Sequence, residues 1–213
     1  MSIPIAQPSL GVEENDAVLA VLASGMIAQG PETSAFEEEF AAYCGVSHAV
    51  ATNNGTAALH AALLAAGIGP GDEVIVPAFT FFATASAVSM CGAIPVFADV
   101  DPETATIDPA AIIGNITPET KAIIAVHLYG QPCDVAAVRR ICDTNDLIFI
   151  EDAAQAHGAT YRNRKTGSLG DLACFSFYAT KNMTTGEGGM VTTASDEYDA
   201  RLRRIINHGQ SAK

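Results

Sequence analysis

The chain has 213 residues, 49% of them hydrophobic and 16% charged, which is enough apolar material for one sizeable α/β core and too much for a disordered chain. A formal charge of −13 excludes broad nucleic-acid binding, which needs a basic surface, although a local Arg/Lys cluster can still draw an anionic small substrate into a cleft. The five cysteines, Cys44, Cys91, Cys133, Cys142 and Cys174, form no CxxC pair, so they indicate neither a disulfide framework nor a zinc site and fit reduced thiols in a cytoplasmic protein. No basic-then-apolar leader opens the sequence and no apolar stretch reaches membrane-spanning length, so no membrane association is expected.

In chain order, Met1–Pro8 reads as a polar, proline-containing arm. Val18, Leu19, Val21 and Leu22 fall at helical spacing within Val12–Ser24, and Gly25 ends that helix. Gln29–Gly30–Pro31 is a turn, after which Thr33 or Ser34 is expected to cap a helix over Ala35–Tyr43. His48–Ala51 predicts a short strand, and Thr52–Thr56 turns into a helix over Ala57–Ala66. A glycine turn feeding a helix N-terminus offers unpaired amides to an anion, which makes Gly55, Thr56 and Ala57 candidates for a phosphate cradle, with an ordinary Asn/Thr cap as the alternative. The sequence has no GxxxxGK[ST], and Gly186, Gly188 and Gly189 lack GxGxxG spacing, so P-loop and dinucleotide folds are unsupported.

Glu73–Val76 predicts a strand stopped by Pro77, followed by Phe79, Phe81 and Phe82 and a small-residue helix through Met90. One of these rings could stack on a flat ligand beyond the strand end, or all three could pack in the core. Pro95–Val100 predicts the next strand. The paired acids Asp99 and Asp101 would suit acid–base chemistry or a metal, but Pro102 and the later Asp108–Pro109 point to turns. Ala122–Val126 predicts a strand leading to His127, which without a Ser or Cys partner reads as a cleft-lining residue. A helix over Val135–Asp143 precedes the strand Leu147–Ile150, which ends abruptly at Glu151 and Asp152. Gln155 would lie one turn beyond Asp152 on a helix starting at Ala153. Tyr161–Ser168, with Arg162, Arg164 and Lys165, reads as an exposed basic turn. Leu172–Tyr178 predicts a strand that leads to Lys181 and the flexible run Thr184–Gly189, and Met190–Thr193 predicts the last strand before a helix capped by Ser195.

Seven strands, around Ala49, Val74, Val96, Ile124, Ile148, Phe175 and Val191, alternate with helices, so a three-layer α/β sandwich around a mainly parallel sheet is expected. Ligands of such sheets bind beyond the carboxyl ends of the strands, where Asp152 and Lys181 both fall. A lysine desolvated there is a nucleophile toward carbonyls, and an aspartate at a neighbouring strand end can hold the charge of a protonated pyridine ring. Together they are the pair that a pyridoxal phosphate enzyme requires. The plainer reading makes Lys181 a solvated loop residue and Asp152 a helix cap.

The surrounding motifs overturn the plainer reading. EDAAQAHGA (Glu151–Ala159), GSLGDLACFSFYATKNMTTGEGGM (Gly167–Met190), NNGTAALHAAL (Asn53–Leu63), GDEVIVPAFTFFATASAV (Gly71–Val88), PVFADVDPETATIDP (Pro95–Pro109) and HLYGQPCD (His127–Asp134) resemble the sugar aminotransferase family of DegT/DnrJ type, within pyridoxal phosphate fold type I. The likeness runs through nearly the whole chain in the family's order. It implies pyridoxal 5'-phosphate held as a Schiff base by Lys181, with Asp152 on the ring nitrogen and Gln155 near the phenolic oxygen. It places Phe81 at the stacking position and Gly55, Thr56, Ala57 and Ser176 around the phosphate, and it implies no metal.

By the same resemblance, residues 1–34 are an N-terminal arm and helix, 35–213 are the cofactor-binding large domain, and the family's C-terminal small domain has no counterpart here. The implied activity moves an amino group from glutamate or glutamine to a nucleotide-linked keto-deoxysugar, in amino sugar biosynthesis, within a cytoplasmic homodimer. Some relatives carry His at the position of Lys181 and dehydrate sugars, so lysine favours transamination. A lyase or aldolase of the same fold type and a non-catalytic truncated fragment stand as alternatives.

Overall fold

The computed structural model describes residues 6–210; the first five residues of the expected arm and the last three of the chain lie outside them. The helices are α1 (Val12–Ser24), α2 (Pro31–Cys44), α3 (Gly55–Ala65), α4 (Ala83–Met90), α5 (Pro109–Gly114), α6 (Val135–Asn145) and α7 (Asp196–Ile205). The strands are β1 (His48–Thr52), β2 (Glu73–Pro77), β3 (Ile94–Ala98), β4 (Thr120–Val126), β5 (Ile148–Asp152), the short β6 (Thr160–Tyr161) and β7 (Arg164–Lys165), β8 (Leu172–Ser176) and β9 (Gly189–Thr193). Seven strands make one sheet in the order β1-β9-β8-β5-β4-β2-β3, while β6 and β7 pair as a separate hairpin. Only β9 runs antiparallel to its sheet neighbours, β1 and β8.

Alternating side chains split the sheet between two helical layers. Val74, Val76, Ile124 and Ile150 face Leu59 and Leu63 of α3, Val88 of α4 and Leu202 of α7. Ile75, Ile123, Ala125 and Phe149 face Ile112 of α5 and Val138 and Ile141 of α6. Strands covered on both faces read as unbroken apolar runs, which is why β4, β5 and β8 stand out in the sequence. A third cluster holds α2 against the sheet end, with the Phe40 ring centroid 4.9 Å from that of Phe175 and 5.4 Å from that of Phe177. By contrast α1 buries none of its residues, and Val12, Val18, Leu19 and Leu22 are all exposed.

Local chemistry moves several boundaries. Helix α2 starts at Pro31, not after Thr33 or Ser34, because proline's fixed φ suits the first helical position and Gly30 takes the extended cap geometry. Helix α3 starts at Gly55 because the Asn54 side chain caps it, accepting from the Ala57 amide at 2.8 Å. The helix expected from Ala153 is a pair of turns instead. The Ala153 amide donates to the Cys174 carbonyl at 2.8 Å, which carries sheet pairing past β5 before the chain can coil. Asp101 accepts from the Glu103 and Thr104 amides and Asp108 caps α5, so these acids shape turns.

Candidate active site

The carboxyl ends of β4, β5 and β8 and the N-terminus of α3 surround a cavity of about 500 Å3. Its wall includes Gly55, Thr56, Phe81, Asp152, Gln155, Ser176 and Lys181. Parallel pairing sets Val126 beside Asp152 and Asp152 beside Cys174, so the strand-end residues open onto one crevice. Ala57 differs from its neighbours: it faces a larger concavity of about 890 Å3 with Ile27, Thr33 and His60, and its amide is already taken by Asn54. That second hollow contains neither Asp152 nor Lys181.

Asp152 closes the bottom of the cavity at 5% exposure. Its Oδ2 accepts from Thr84 Oγ1 at 2.8 Å and its Oδ1 from the Ala154 amide at 3.2 Å. Burial pushes this carboxyl up, and the two hydrogen bonds, His127 and Lys181 pull against that rise. Lys181 is half-buried in the loop after β8, its backbone amide donating to the Tyr178 carbonyl at 2.9 Å. Its ammonium has no carboxylate within ion-pairing distance among the described residues.

Gln155 is fixed from outside the cavity. Its Oε1 accepts from the Tyr129 amide at 2.8 Å, so the Nε2 end is the one left free to donate to a ligand. Tyr129 reaches that position with a φ of 53°, in the short 3-10 turn after β4. Gly55 lies against Ser176, and a Cβ added to Gly55 would stand 2.7 Å from the Ser176 Cβ. The Gly55→Ala variant should therefore force α3 and β8 apart. We expect a loss of about 1–3 kcal/mol in urea unfolding together with loss of phosphate-bearing ligands in a binding titration.

The three phenylalanines after β2 are not core residues: Phe79, Phe81 and Phe82 are 52%, 59% and 71% exposed. The ring centroids of Phe81 and Phe82 lie 4.3 Å apart, and Phe81 lines the cavity. His127, expected to line a cleft, is fully buried behind it. Its Nδ1 accepts from the Cys133 amide at 3.3 Å, which leaves Nε2 to donate to Glu151 Oε2 at 2.9 Å. His157 packs between Phe175 and Phe177, and its buried ring nitrogens form no hydrogen bond of good geometry, with Asn182 and the Ser176 backbone beside them. Burial holds its imidazole below the ordinary histidine range. Thr80, Thr84 and Glu151 take part in this architecture, yet no sequence pattern singles them out as a group.

Residues 8–213 match the DegT/DnrJ/EryC1/StrS aminotransferase family. This chain is a member of that family. It is similar to GDP-perosamine synthase of Caulobacter vibrioides, with 52% identity over 208 residues that make up 97% of this chain and 56% of that protein. The crystal structure of an aminotransferase from Psychrobacter cryohalolentis matches it with a TM-score of 0.94 and 45% identity, over 97% of this chain and 53% of the other. A Streptococcus pneumoniae protein solved in its pyridoxal phosphate form matches with a TM-score of 0.95 and 33% identity, over 99% and 59%. The chain spans about half the length of the curated relatives it matches.

DegT/DnrJ/EryC1/StrS aminotransferases depend on pyridoxal phosphate, and the cavity residues fit that group. The Gly55 position admits no Cβ, the neighbouring Ser176 brings a hydroxyl, and the α3 N-terminus brings backbone N–H groups, which together suit a phosphate. A buried carboxylate without an ion-pair partner among the described residues suits a cationic ring nitrogen. The free amide end of Gln155 suits a phenolate, and the exposed Phe81 ring suits a flat face.

Proposed function

We propose that this chain forms the cofactor-binding part of an aminotransferase that moves an amino group from an amino acid such as glutamate to a nucleotide-linked ketosugar. The observation that carries the reading is the shared cavity: Lys181 and Asp152, 29 residues apart in sequence, line the same hollow with Gly55 and Ser176. The name of the Caulobacter vibrioides relative supports the sugar class.

In this reading the bound cofactor supplies an aldehyde carbon and an electron-withdrawing pyridinium ring. Asp152 keeps a proton at the ring nitrogen, because its buried carboxylate is stabilised by that positive charge. Lys181 Nζ is the attaching amine. When released from that attachment, Nζ would be the base that holds and moves a proton at the donor's α-carbon. Gln155 Nε2 donates to the phenolic oxygen and so orients the ring. The amides of Gly55 and Thr56 and the Ser176 hydroxyl hold the phosphate, with Ala57 contributing only if Asn54 releases its amide. Phe81 would stack on one face of the ring. Lys181 and Asp152 would then be catalytic residues, and the others would bind.

The reading extends to a cytoplasmic homodimer. Phe79, Phe81 and Phe82 are large exposed apolar side chains, of the kind that a second subunit covers, and Phe81 lines the cavity. All five cysteines are free thiols, and no helix among the described residues is long and apolar enough to cross a membrane.

Borohydride reduction in the presence of pyridoxal phosphate, followed by peptide mass spectrometry, tests the site. The expected label is on the peptide containing Lys181, and it should vanish in Lys181→Ala. Labelling of Lys121 or Lys165 instead would remove the basis of the proposal. The full-length protein, offered a panel of nucleotide-linked ketosugars with glutamate, should return aminated sugar and 2-oxoglutarate.

A further inference from the structure

The hydroxyls beside Asp152 form an ordered chain. Thr84, on α4, is fully buried, and its Oγ1 lies 2.8 Å from Asp152 Oδ2 and 3.0 Å from Thr80 Oγ1. An ionised carboxylate can only accept, so the single Thr84 hydrogen goes to Asp152. Thr80 must then donate to Thr84. The order runs from Thr80, in the cavity wall, through Thr84 to the carboxylate.

We propose that Thr84, with its hydroxyl oriented by Thr80, is a positioning residue that holds the Asp152 carboxylate in one orientation and in its ionised form. What that carboxylate serves rests on the aminotransferase reading; the hydrogen-bond assignment does not.

The groups that face Asp152 can be named element by element. His127 approaches from the segment after β4, Cys174 from β8 and Lys181 from the loop beyond β8, while Glu151 precedes Asp152 on its own strand. His127 already donates to Glu151, so its hydrogen is committed elsewhere. Cys174 is a buried thiol that burial and both carboxylates push far up, so it brings no charge. Lys181 forms no ion pair with Asp152 among the described residues. Thr84 is thus the one side chain among the described residues that hydrogen-bonds Asp152. A hydrogen bond to the charged form favours that form, and it opposes the penalty of burial.

The test compares Thr84→Val, which keeps the shape and removes the hydroxyl, with Thr84→Ser, which keeps the hydroxyl and removes a methyl. Titration of the Asp152 carboxyl carbon by 13C NMR in the ligand-free chain is the first readout. Ionisation should move to higher pH in Thr84→Val and stay at the wild-type position in Thr84→Ser. The pH dependence of the pyridoxal phosphate dissociation constant is the second. Thr84→Val should bind about tenfold more weakly near neutral pH, with Thr84→Ser close to wild type, as expected for loss of one hydrogen bond to a charged group. If Thr84→Val does not fold, Thr84→Ala replaces it in both readouts. An unshifted titration in the hydroxyl-less variant overturns the proposal, as does equal impairment of the Ser variant, which would assign the effect to packing. If the wild-type chain binds no pyridoxal phosphate, the functional reading fails while the NMR titration still decides the role of Thr84.

Discussion

Glu151→Ala should lower the unfolding free energy by about 3–5 kcal/mol, the range found when one partner of a buried charged network is removed. Glu151 is completely buried, one residue before Asp152 at the end of β5. Its Oε1 accepts from the Leu169 and Gly170 amides at 2.7 and 2.8 Å, and its Oε2 from the Gly167 amide at 3.0 Å and from His127 Nε2 at 2.9 Å. All four partners donate, so only the ionised carboxylate satisfies them. Alanine would strand three backbone N–H groups and an imidazole N–H away from water, each at the cost of an unmade hydrogen bond. Glu151→Gln should be damaging as well, because its NH2 group would face N–H donors whichever way it turns. Urea unfolding of the two variants checks this, and a cost below about 1 kcal/mol for Glu151→Ala would contradict it. The consequence reaches the cavity. Glu151 ties the segment after β4 and the 167–170 turn that opens β8 to β5, and these strands carry Asp152, Ser176 and Lys181 to their places.

The seven-stranded sheet is legible in the sequence because its central strands are buried on both faces and so form short apolar runs between turn residues. Asp152 and Lys181 are legible for the same reason: the change from apolar to charged marks a strand end, and strand ends are where such folds keep their chemistry. Gly55 and Ser176 can be named separately, but only the fold shows that the one has no Cβ because the other fills its place. Gln155 reaches the cavity from a turn and not from a helix, held by the amide of Tyr129, a residue of another segment with unusual backbone geometry. Ala57 escapes the pattern because a helix turns successive residues by about 100°, which points it away from the cavity that Gly55 and Thr56 line. His127 looks like a site residue and proves to be a buried strut. Its partner Glu151 lies 24 residues away, and Thr84 lies 68 residues from Asp152. Pairings of that range are set by tertiary register, which local spacing does not encode.

Asp152→Asn should have the opposite effect on stability from Glu151→Ala, although the two carboxylates are adjacent. Asp152 receives two hydrogen bonds where Glu151 receives four, and its carboxyl is raised by burial. A folded-state carboxyl raised above its unfolded value binds its proton more tightly in the native chain. Its stabilising contribution is then complete at acid pH, below the unfolded carboxylate range, and is lost as pH rises through the raised value. At neutral pH the ligand-free chain thus carries this carboxyl at a net cost. Asparagine removes the charge and keeps the contacts: its oxygen accepts from the Ala154 amide, its NH2 donates to Thr84, and Thr84 turns to donate to Thr80. The ligand-free Asp152→Asn chain should melt higher than wild type at neutral pH, by about 2–4 °C for each kcal/mol gained, and the gap should close in acid. Pyridoxal phosphate should reverse the ranking, because only the carboxylate gains a cationic partner from it. On the proposed function, transfer of the amino group from glutamate in the full-length protein should fall by about 10²–10³-fold in the variant, the usual scale for loss of one preorganised electrostatic contact to a reacting group. Calorimetric scans with and without cofactor at acid and neutral pH, alongside single-turnover release of 2-oxoglutarate, read both halves. A ligand-free variant that melts lower than wild type at neutral pH would show that Asp152 is already satisfied by its protein neighbours and does not await a cation.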